Sequence, residues 1–290
     1  MEKIERVKAN TPIAILMATY NGASYLCEQI DSLLAQTMAD WTLFINDDGS
    51  TDSTPDIIRR YAAQHHNIVV MRLGTGLGAC ENFLRMLHTI DARYYFFCDQ
   101  DDHWSAYKIE REMKAMADAE RLNPRKPIIV HSDLSVVDQQ MRLIHPSFIQ
   151  YAGVYPNLLN QFDHSVEPYV TGCTMMLNRA ARDSVSYPTS AAVMHDAWAT
   201  LCTLRANGIT VLVDEPLVDY RQHVSNTLGA RDIQKVNMTY RLKRFRSILR
   251  ERRQHYAMLR TLGFGSPVKY IYQKIRFKCQ VNKIRNRQRR

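Results

Sequence analysis

Mostly apolar runs alternate with polar turns and helix-like stretches four times in the first hundred residues, at intervals of roughly 25–30 positions. Few folds accommodate that rhythm. The runs are Ile13 to Ala18, Trp41 to Ile45, Ile68 to Leu73 and Tyr94 to Cys98. Each is short and nearly continuous in apolar character, as expected of a strand covered on both faces. Between them, Leu26, Ile30, Leu33 and Leu34 fall on one helical face. A second helix, with Asp52, Ser53 or Thr54 as its cap and Pro55 in its first turn, runs through Ile57, Ile58 and Tyr61. A third spans about Glu81 to Ile90. Strand, turn and helix in this order predict βαβ units, and so an α/β fold with a mostly parallel sheet flanked by helices.

Ligands of such sheets bind in the crevice at the carboxyl ends of the strands. Here those ends carry Thr19-Tyr20-Asn21, Asp47-Asp48, and Asp99 with Asp101. The last group is the most demanding. Three acids within four positions follow the run Tyr94-Tyr95-Phe96-Phe97-Cys98, and carboxylates there must meet a cation or hydrogen-bond donors. Asp99 and Asp101 can converge on one Mg²⁺ or Mn²⁺, since both ions favour hard oxygen ligands. A solvated turn with Asp102 as helix cap is the alternative. Glycines 74, 76 and 78 lack the spacing of a dinucleotide fingerprint, and no phosphate-cradling Gly-x-x-x-x-Gly-Lys loop exists. A metal would therefore have to neutralise any bound phosphate.

With 290 residues, 46% of them apolar, the chain can bury one large core and an appendage. Its six cysteines are scattered without Cys-x-x-Cys pairing and read as reduced thiols of a cytoplasmic protein. The polar, mixed-charge stretch from Met1 to Asn10 does not read as a signal peptide, and no apolar run approaches the roughly 18–20 residues of a spanning helix. The net charge of +9 is divided: residues 231–290 carry 19 Lys/Arg against two acids, whereas residues 1–230 carry 19 against 27 acids. In the tail, Leu242, Phe245, Leu249, Tyr256 and Leu259 recur at helical spacing among arginines, and Val268, Ile271 and Ile275 repeat the pattern. Such basic amphipathic helices suit an anionic membrane surface. Packing on the body, or a solvated end at Lys283 to Arg290, are the competing explanations.

Three motifs carry a resemblance. Ala18-Thr19-Tyr20-Asn21-Gly22, Asn46-Asp47-Asp48-Gly49-Ser50-Thr51-Asp52 and Cys98-Asp99-Gln100-Asp101-Asp102-His103-Trp104, in this order, resemble the signatures of family 2 glycosyltransferases. The resemblance covers about residues 11–228 and is nearest to bacterial rhamnosyltransferase-like enzymes that build O-antigen and related polysaccharides. It implies a GT-A fold, with a donor half at about 11–105, an acceptor half at about 106–228, and a basic helical extension over 229–290. It also implies a nucleotide-diphosphate sugar donor, with dTDP-rhamnose leading and UDP-hexoses the alternative, and inversion at the anomeric carbon. Thr19, Tyr20, Asn21, Asp47, Asp48, Arg72, Asp99 and Gln100 would hold the donor, and Asp99, Asp101 and His223 the metal. His195-Asp196-Ala197-Trp198 opens a helix where the family carries its base, which makes Asp196 the candidate base; Trp104, Gly172, His195 and Trp198 fall on the acceptor side. The absence of Gln-x-x-Arg-Trp, a motif of processive members, implies one sugar per encounter.

The chemistry supports the same division of labour. Displacing a nucleoside diphosphate needs charge stabilisation on the leaving oxygen, and a separate carboxylate must take the acceptor's proton on the opposite face. A lipid-linked or other glycan acceptor and peripheral placement on the inner face of the plasma membrane are then expected. Nucleic acid is not an expected partner, because the acidic crevice would repel a polyanion. Asp-x-Asp after a strand also serves nucleotidyl and phosphoryl transfer, which would release pyrophosphate or inorganic phosphate instead of a nucleoside diphosphate.

Overall fold

The computed structural model describes residues 7–8, 12–154, 156, 170–187, 189–223, 245–264 and 266–288. The sheet begins with three strands, β1 (Ile13–Thr19), β2 (Trp41–Asp47) and β3 (Ile68–Val70), interleaved with helices α1 (Leu26–Leu34) and α2 (Thr54–Gln64). Helix α3 (Ala79–Thr89) leads into β4 (Tyr94–Cys98). A two-residue strand β5 (His103–Trp104), helix α4 (Lys108–Leu122) and the long β6 (Ile128–Val137) follow, then β7 (Leu143–His145) and α5 (Phe148–Ala152). A 3₁₀ turn at Gly172–Thr174 opens β8 (Met175–Asn178), which runs directly into α6 (Arg179–Ser184). Helix α7 (His195–Arg205), strand β9 (Ile209–Arg221) and helices α8 (Phe245–Thr261) and α9 (Pro267–Gln288) complete the order.

The main sheet runs β3-β2-β1-β4-β8-β6-β9-β5, with β7 paired to β6. β1 to β4 are parallel, as the βαβ rhythm requires, while β8 is antiparallel to both of its neighbours. Period-two burial explains why the first strands read as continuous apolar runs. Ala14 and Leu16 of β1, with Tyr95 and Phe97 of β4, enter the core on one face of the sheet; Ile13, Ile15 and Met17, with Tyr94 and Phe96, enter the core on the other.

Closing the sheet at β5 forces a curl. Five chain steps lead from Cys98 to His103 and span at most about 18 Å, whereas four flat inter-strand steps from β4 to β5 need about 19 Å. β9 absorbs the bend through register shifts between Val213 and Pro216 and between Pro216 and Asp219. Its end is thereby carried beside the acidic turn after β4.

The tail is partly built into the body. Met258 and Leu259 of α8 are buried in the core that holds Trp198, Ala199 and Cys202 of α7. Arg205 Nε donates to Leu262 O at 2.8 Å, and the Val193 N–H points to Met258 Sδ at 3.4 Å. Leu242 lies outside the described residues, as do the side chains of Phe245 and Leu249. No helix among the described residues is long and apolar enough to cross a membrane. All six cysteines are free.

Because α8 completes a core, Leu259→Ala is expected to destabilise the fold by about 2–5 kcal/mol, the usual cost of truncating a buried leucine. Urea unfolding measures it; a change under about 0.5 kcal/mol, typical of a surface site, would mean the helix is a detached appendage.

Candidate active site

The register of the parallel strands sets three polar clusters at one level. Thr19 pairs with Asp47 across β1 and β2, and Met17 pairs with Cys98 across β1 and β4, so Asp99 emerges beside Ala18 and Thr19. Side chains at this edge fall into two groups, those that shape the crevice and those that face it.

Most of the loop acids shape it. Asp47 accepts hydrogen bonds from Thr19 Oγ1 (2.8 Å), the Ser50 hydroxyl (2.6 Å) and the Ser50 N–H (2.9 Å). Asp48 accepts the N–H groups of Leu77 and Gly78, both at 2.8 Å, and so pins the glycine loop. Asn21, at φ 47°, accepts the Thr51 N–H at 2.8 Å. Gln100 grips the backbone of Tyr20, accepting its N–H at 2.9 Å and donating to its carbonyl at 3.0 Å. That grip explains Gly22: a Cβ there would meet Gln100 Oε1 at 2.1 Å. Tyr20 and Arg72, by contrast, present exposed side chains. Asn46, quoted in the motif but given no role, is buried and ties Leu73, Gly74 and Asn82 to the end of β2.

The second group converges after β4. His223 Nε2 lies 2.7 Å from Asp101 Oδ2, and both side chains are mostly buried. Burial, then the charges of Asp101 and Asp196, push the Asp99 carboxyl up to about 7. Asp196 stands in the first turn of α7, with Oδ2 accepting the Gly172 N–H at 3.1 Å and Oδ1 the Ala197 N–H at 2.6 Å. Electrostatics thus joins Asp99 to Asp101 in its own turn and to Asp196 from a distant helix.

Beneath them lies a closed cluster. Asp102 is fully buried, and burial and the charges of Asp101 and Asp99 raise its pKa well above the carboxylate range. It accepts the Arg221 N–H at 3.2 Å, which makes it a brace between β4 and β9, not a helix cap. Ligating atoms of Asp99, Asp102 and Cys173 lie within 4.8 Å of one another. Burial holds the Cys173 thiol well above its usual range, so a protonated, soft sulfur fits Mg²⁺ or Mn²⁺ poorly. The Asp101–His223 pair with Asp99 fits better: two facing donor atoms, and neighbouring carboxyls whose repulsion a divalent ion would relieve.

Arg221 is the residue that motif reading missed. It is buried at the end of β9, donates to the carbonyls of Asp101 and Gln139 (both 2.9 Å), and pairs with Glu28. Its guanidinium lies 4.6 Å from the Tyr25 ring centroid, and that ring in turn packs against His223 at 4.9 Å. An arginine as the last residue of a strand, two positions before His223, was the available signal.

On the acceptor side the placements are mixed. Gly172 lies against Asp196, and a Cβ there would meet His195 Nε2 at 2.7 Å. His195 itself is buried, stacked on Phe83 and edge-on to Phe97, where burial lowers its pKa. Trp104 and Trp198 are core rings. Trp104 packs on Phe96 beneath the Lys108 ammonium, and Trp198 Nε1 donates to Ser186 O. Neither tryptophan lines the crevice.

The raised Asp99 pKa fixes a sign. The folded state binds the proton between the ordinary carboxyl value of 3.8 and about 7, where the unfolded chain has released it, so burial of Asp99 lowers stability as pH rises across that window. Without divalent ions, the unfolding free energy of Asp99→Asn relative to the native chain should rise from pH 5 to about pH 7, by up to about 1.4 kcal/mol per pH unit, and level off above it. A pH-independent difference would show that Asp99 titrates normally.

Comparison with known proteins bears on the family and the fold. The pattern of "Glycosyl transferase family 2" matches residues 14–185. The chain is 27% identical over 230 residues to the dTDP-rhamnosyl transferase RfbG of Shigella flexneri, covering 74% of each. It is 26% identical over 225 residues to the putative teichuronic acid biosynthesis glycosyltransferase TuaG of Bacillus subtilis, covering 75% of this chain and 81% of that one. Among solved structures, the mannosyltransferase PcManGT of Pyrobaculum calidifontis, in complex with GDP-Man and Mn²⁺, superposes with a TM-score of 0.61 at 15% identity, covering 93% of this chain and 70% of that one. The fold is GT-A-like, and the chain belongs to glycosyl transferase family 2.

Proposed function

We propose that this chain moves a glycosyl unit from a nucleoside-diphosphate sugar to a glycan hydroxyl, with inversion, during synthesis of a cell-surface polysaccharide. The observation that carries the proposal is the Asp101–His223 pair, 2.7 Å apart at the carboxyl edge of the sheet, in the same turn as Asp99, whose carboxyl feels the charges of Asp101 and Asp196. Likeness to a dTDP-rhamnosyl transferase and to a teichuronic acid enzyme supports rhamnose from dTDP-rhamnose as donor and a lipid-linked glycan as acceptor. In this proposal residues 1–228 are the transferase body, and 229–290 hold it to the anionic inner face of the plasma membrane.

Asp101 and His223, with Asp99 beside them, would hold Mg²⁺ or Mn²⁺. The ion, when bound, supplies positive charge to the departing diphosphate. Tyr20 offers an exposed ring for the base, and Arg72 an exposed guanidinium for the ribose or phosphates. The bracing of Asp47, Asp48, Asn21 and Gln100 keeps the donor loops open and fixed. Asp196 takes the acceptor hydroxyl's proton as the new bond to the anomeric carbon forms; the electron pair of the old bond leaves with the diphosphate from the opposite face. Gly172 N–H and Ala197 N–H hold the Asp196 carboxylate in one orientation while leaving each oxygen a second lone pair.

Asp196→Asn is expected to lower transfer by about 10²–10⁴ with donor affinity mostly unchanged, measured by nucleoside-diphosphate release and saturation-transfer binding. Retention of more than about a tenth of the native rate would remove Asp196 as base. The same assay across a nucleotide-sugar panel, with and without Mn²⁺, names the donor; release of pyrophosphate or inorganic phosphate instead would point to nucleotidyl or phosphoryl transfer.

A further inference from the structure

The imidazole facing Asp101 is held from a helix that lies outside the acidic turn. His223 stands two residues beyond the end of β9, and its ring packs against Tyr25 with centroids 4.9 Å apart and planes 34° apart. The Arg221 guanidinium lies 4.6 Å from the same Tyr25 centroid. Both contacts are made by the ring of Tyr25, not by its hydroxyl. Glu28, one turn further along α1, pairs with Arg221, whose side chain is buried. Tyr25 and Glu28 are therefore neighbours on one helix face, at i and i+3, and Arg221 meets both. The backbone beneath the ring is fixed as well. Tyr25 N–H donates to Gly22 O, and Tyr25 O accepts the Gln29 N–H, both at 3.1 Å.

We propose that Tyr25 is a positioning residue for His223, held to that task by Arg221 and Glu28. The inference rests on the proposed role of Asp101 and His223 in holding Mg²⁺ or Mn²⁺. His223 Nε2 faces Asp101 Oδ2 at 2.7 Å, so rotation of the imidazole would carry one of two facing donor atoms away. A flat ring packed against it restricts that rotation. Arg221 serves both partners: Nε donates to the Asp101 carbonyl at 2.9 Å, while the guanidinium covers the Tyr25 face. Groups that orient a ligating imidazole from outside the ligand set change metal affinity by about 10–100-fold when removed. A tenfold loss corresponds to a ring correctly turned only about a tenth of the time.

Binding of Mn²⁺ alone to the full chain, followed by the EPR signal of the free ion, tests this apart from turnover. Tyr25→Leu keeps apolar bulk and loses the aromatic face, and should weaken Mn²⁺ binding by about tenfold or more. Tyr25→Phe should bind as the native chain does, because it keeps the ring. Glu28→Gln should show a smaller loss, since Arg221 retains the Asp101 and Gln139 carbonyls. Melting temperatures without metal establish that each variant folds. Native affinity in Tyr25→Leu, or an equal loss in Tyr25→Phe, overturns the positioning role. Where Tyr25→Leu does not fold, Glu28→Gln decides at its exposed position, and native affinity there overturns the role too. Asp101→Asn separates this failure from that of the metal site. If it loses Mn²⁺ while Tyr25→Leu binds normally, only the role of Tyr25 falls. If it binds Mn²⁺ like the native chain, the ion lies elsewhere and both proposals fall.

Discussion

Carboxyl groups crowd the end of β4, and much of the surrounding structure answers that crowding. Asp99, Asp101 and Asp102 leave a buried strand together, and Asp196 approaches from another helix. Isolated buried carboxylates would cost several kcal/mol each, so each acid is handled differently. Asp102 is driven toward its neutral form and takes a backbone N–H. Asp101 gains His223, and its carbonyl gains Arg221. Asp196 takes two N–H donors at a helix N-terminus, where the dipole favours negative charge. Asp99 is left without equivalent compensation. Burial and its acidic neighbours raise its pKa, and a divalent ion with its diphosphate ligand would have the chemistry to relieve that repulsion.

Arg221 shows how the curl of the sheet serves the same end. A flat sheet would leave the end of β9 several strands from β4. The register shifts around Pro216 bend β9 until Arg221 and His223 reach the acidic turn. Fold and site are thus one problem: the bend that closes the sheet also delivers the ring nitrogen facing Asp101.

How much could be read from the residues alone follows from the same physics. The strands and helices of the amino-terminal half were legible because apolar periodicity and turn chemistry are local. Ile13 to Thr19 and Tyr94 to Cys98 had to be covered on both faces, whatever else the chain did. Which polar residues face the crevice was not legible. Asp47, Asp48, Asn21 and Gln100 look like ligand-binding groups by type and position, yet their oxygens are occupied by the loops that carry them. Composition cannot distinguish a carboxylate that waits for a ligand from one that has found a backbone N–H. Trp104 and Trp198 failed for a related reason, since a large ring next to a motif can as readily fill the core as a sugar subsite. Arg221 was hidden by distance, its partner Glu28 lying 193 positions away.

The basic tail exposes a different limit. Amphipathic spacing says that one face of a helix seeks apolar company, but not which company. The structure divides the answer between the two helices. α8 spends Met258 and Leu259 on the protein core, whereas α9 leaves Val268, Ile271, Tyr272 and Ile275 outward. Packing and surface attachment are therefore compatible in one appendage, because the first helix supplies the rigidity that the second needs to present its stripe. A tail tethered only by flexible chain would leave its surface contacts without a fixed relation to Asp196. Rooted against α7, the same contacts would orient the crevice with respect to whatever surface the stripe meets.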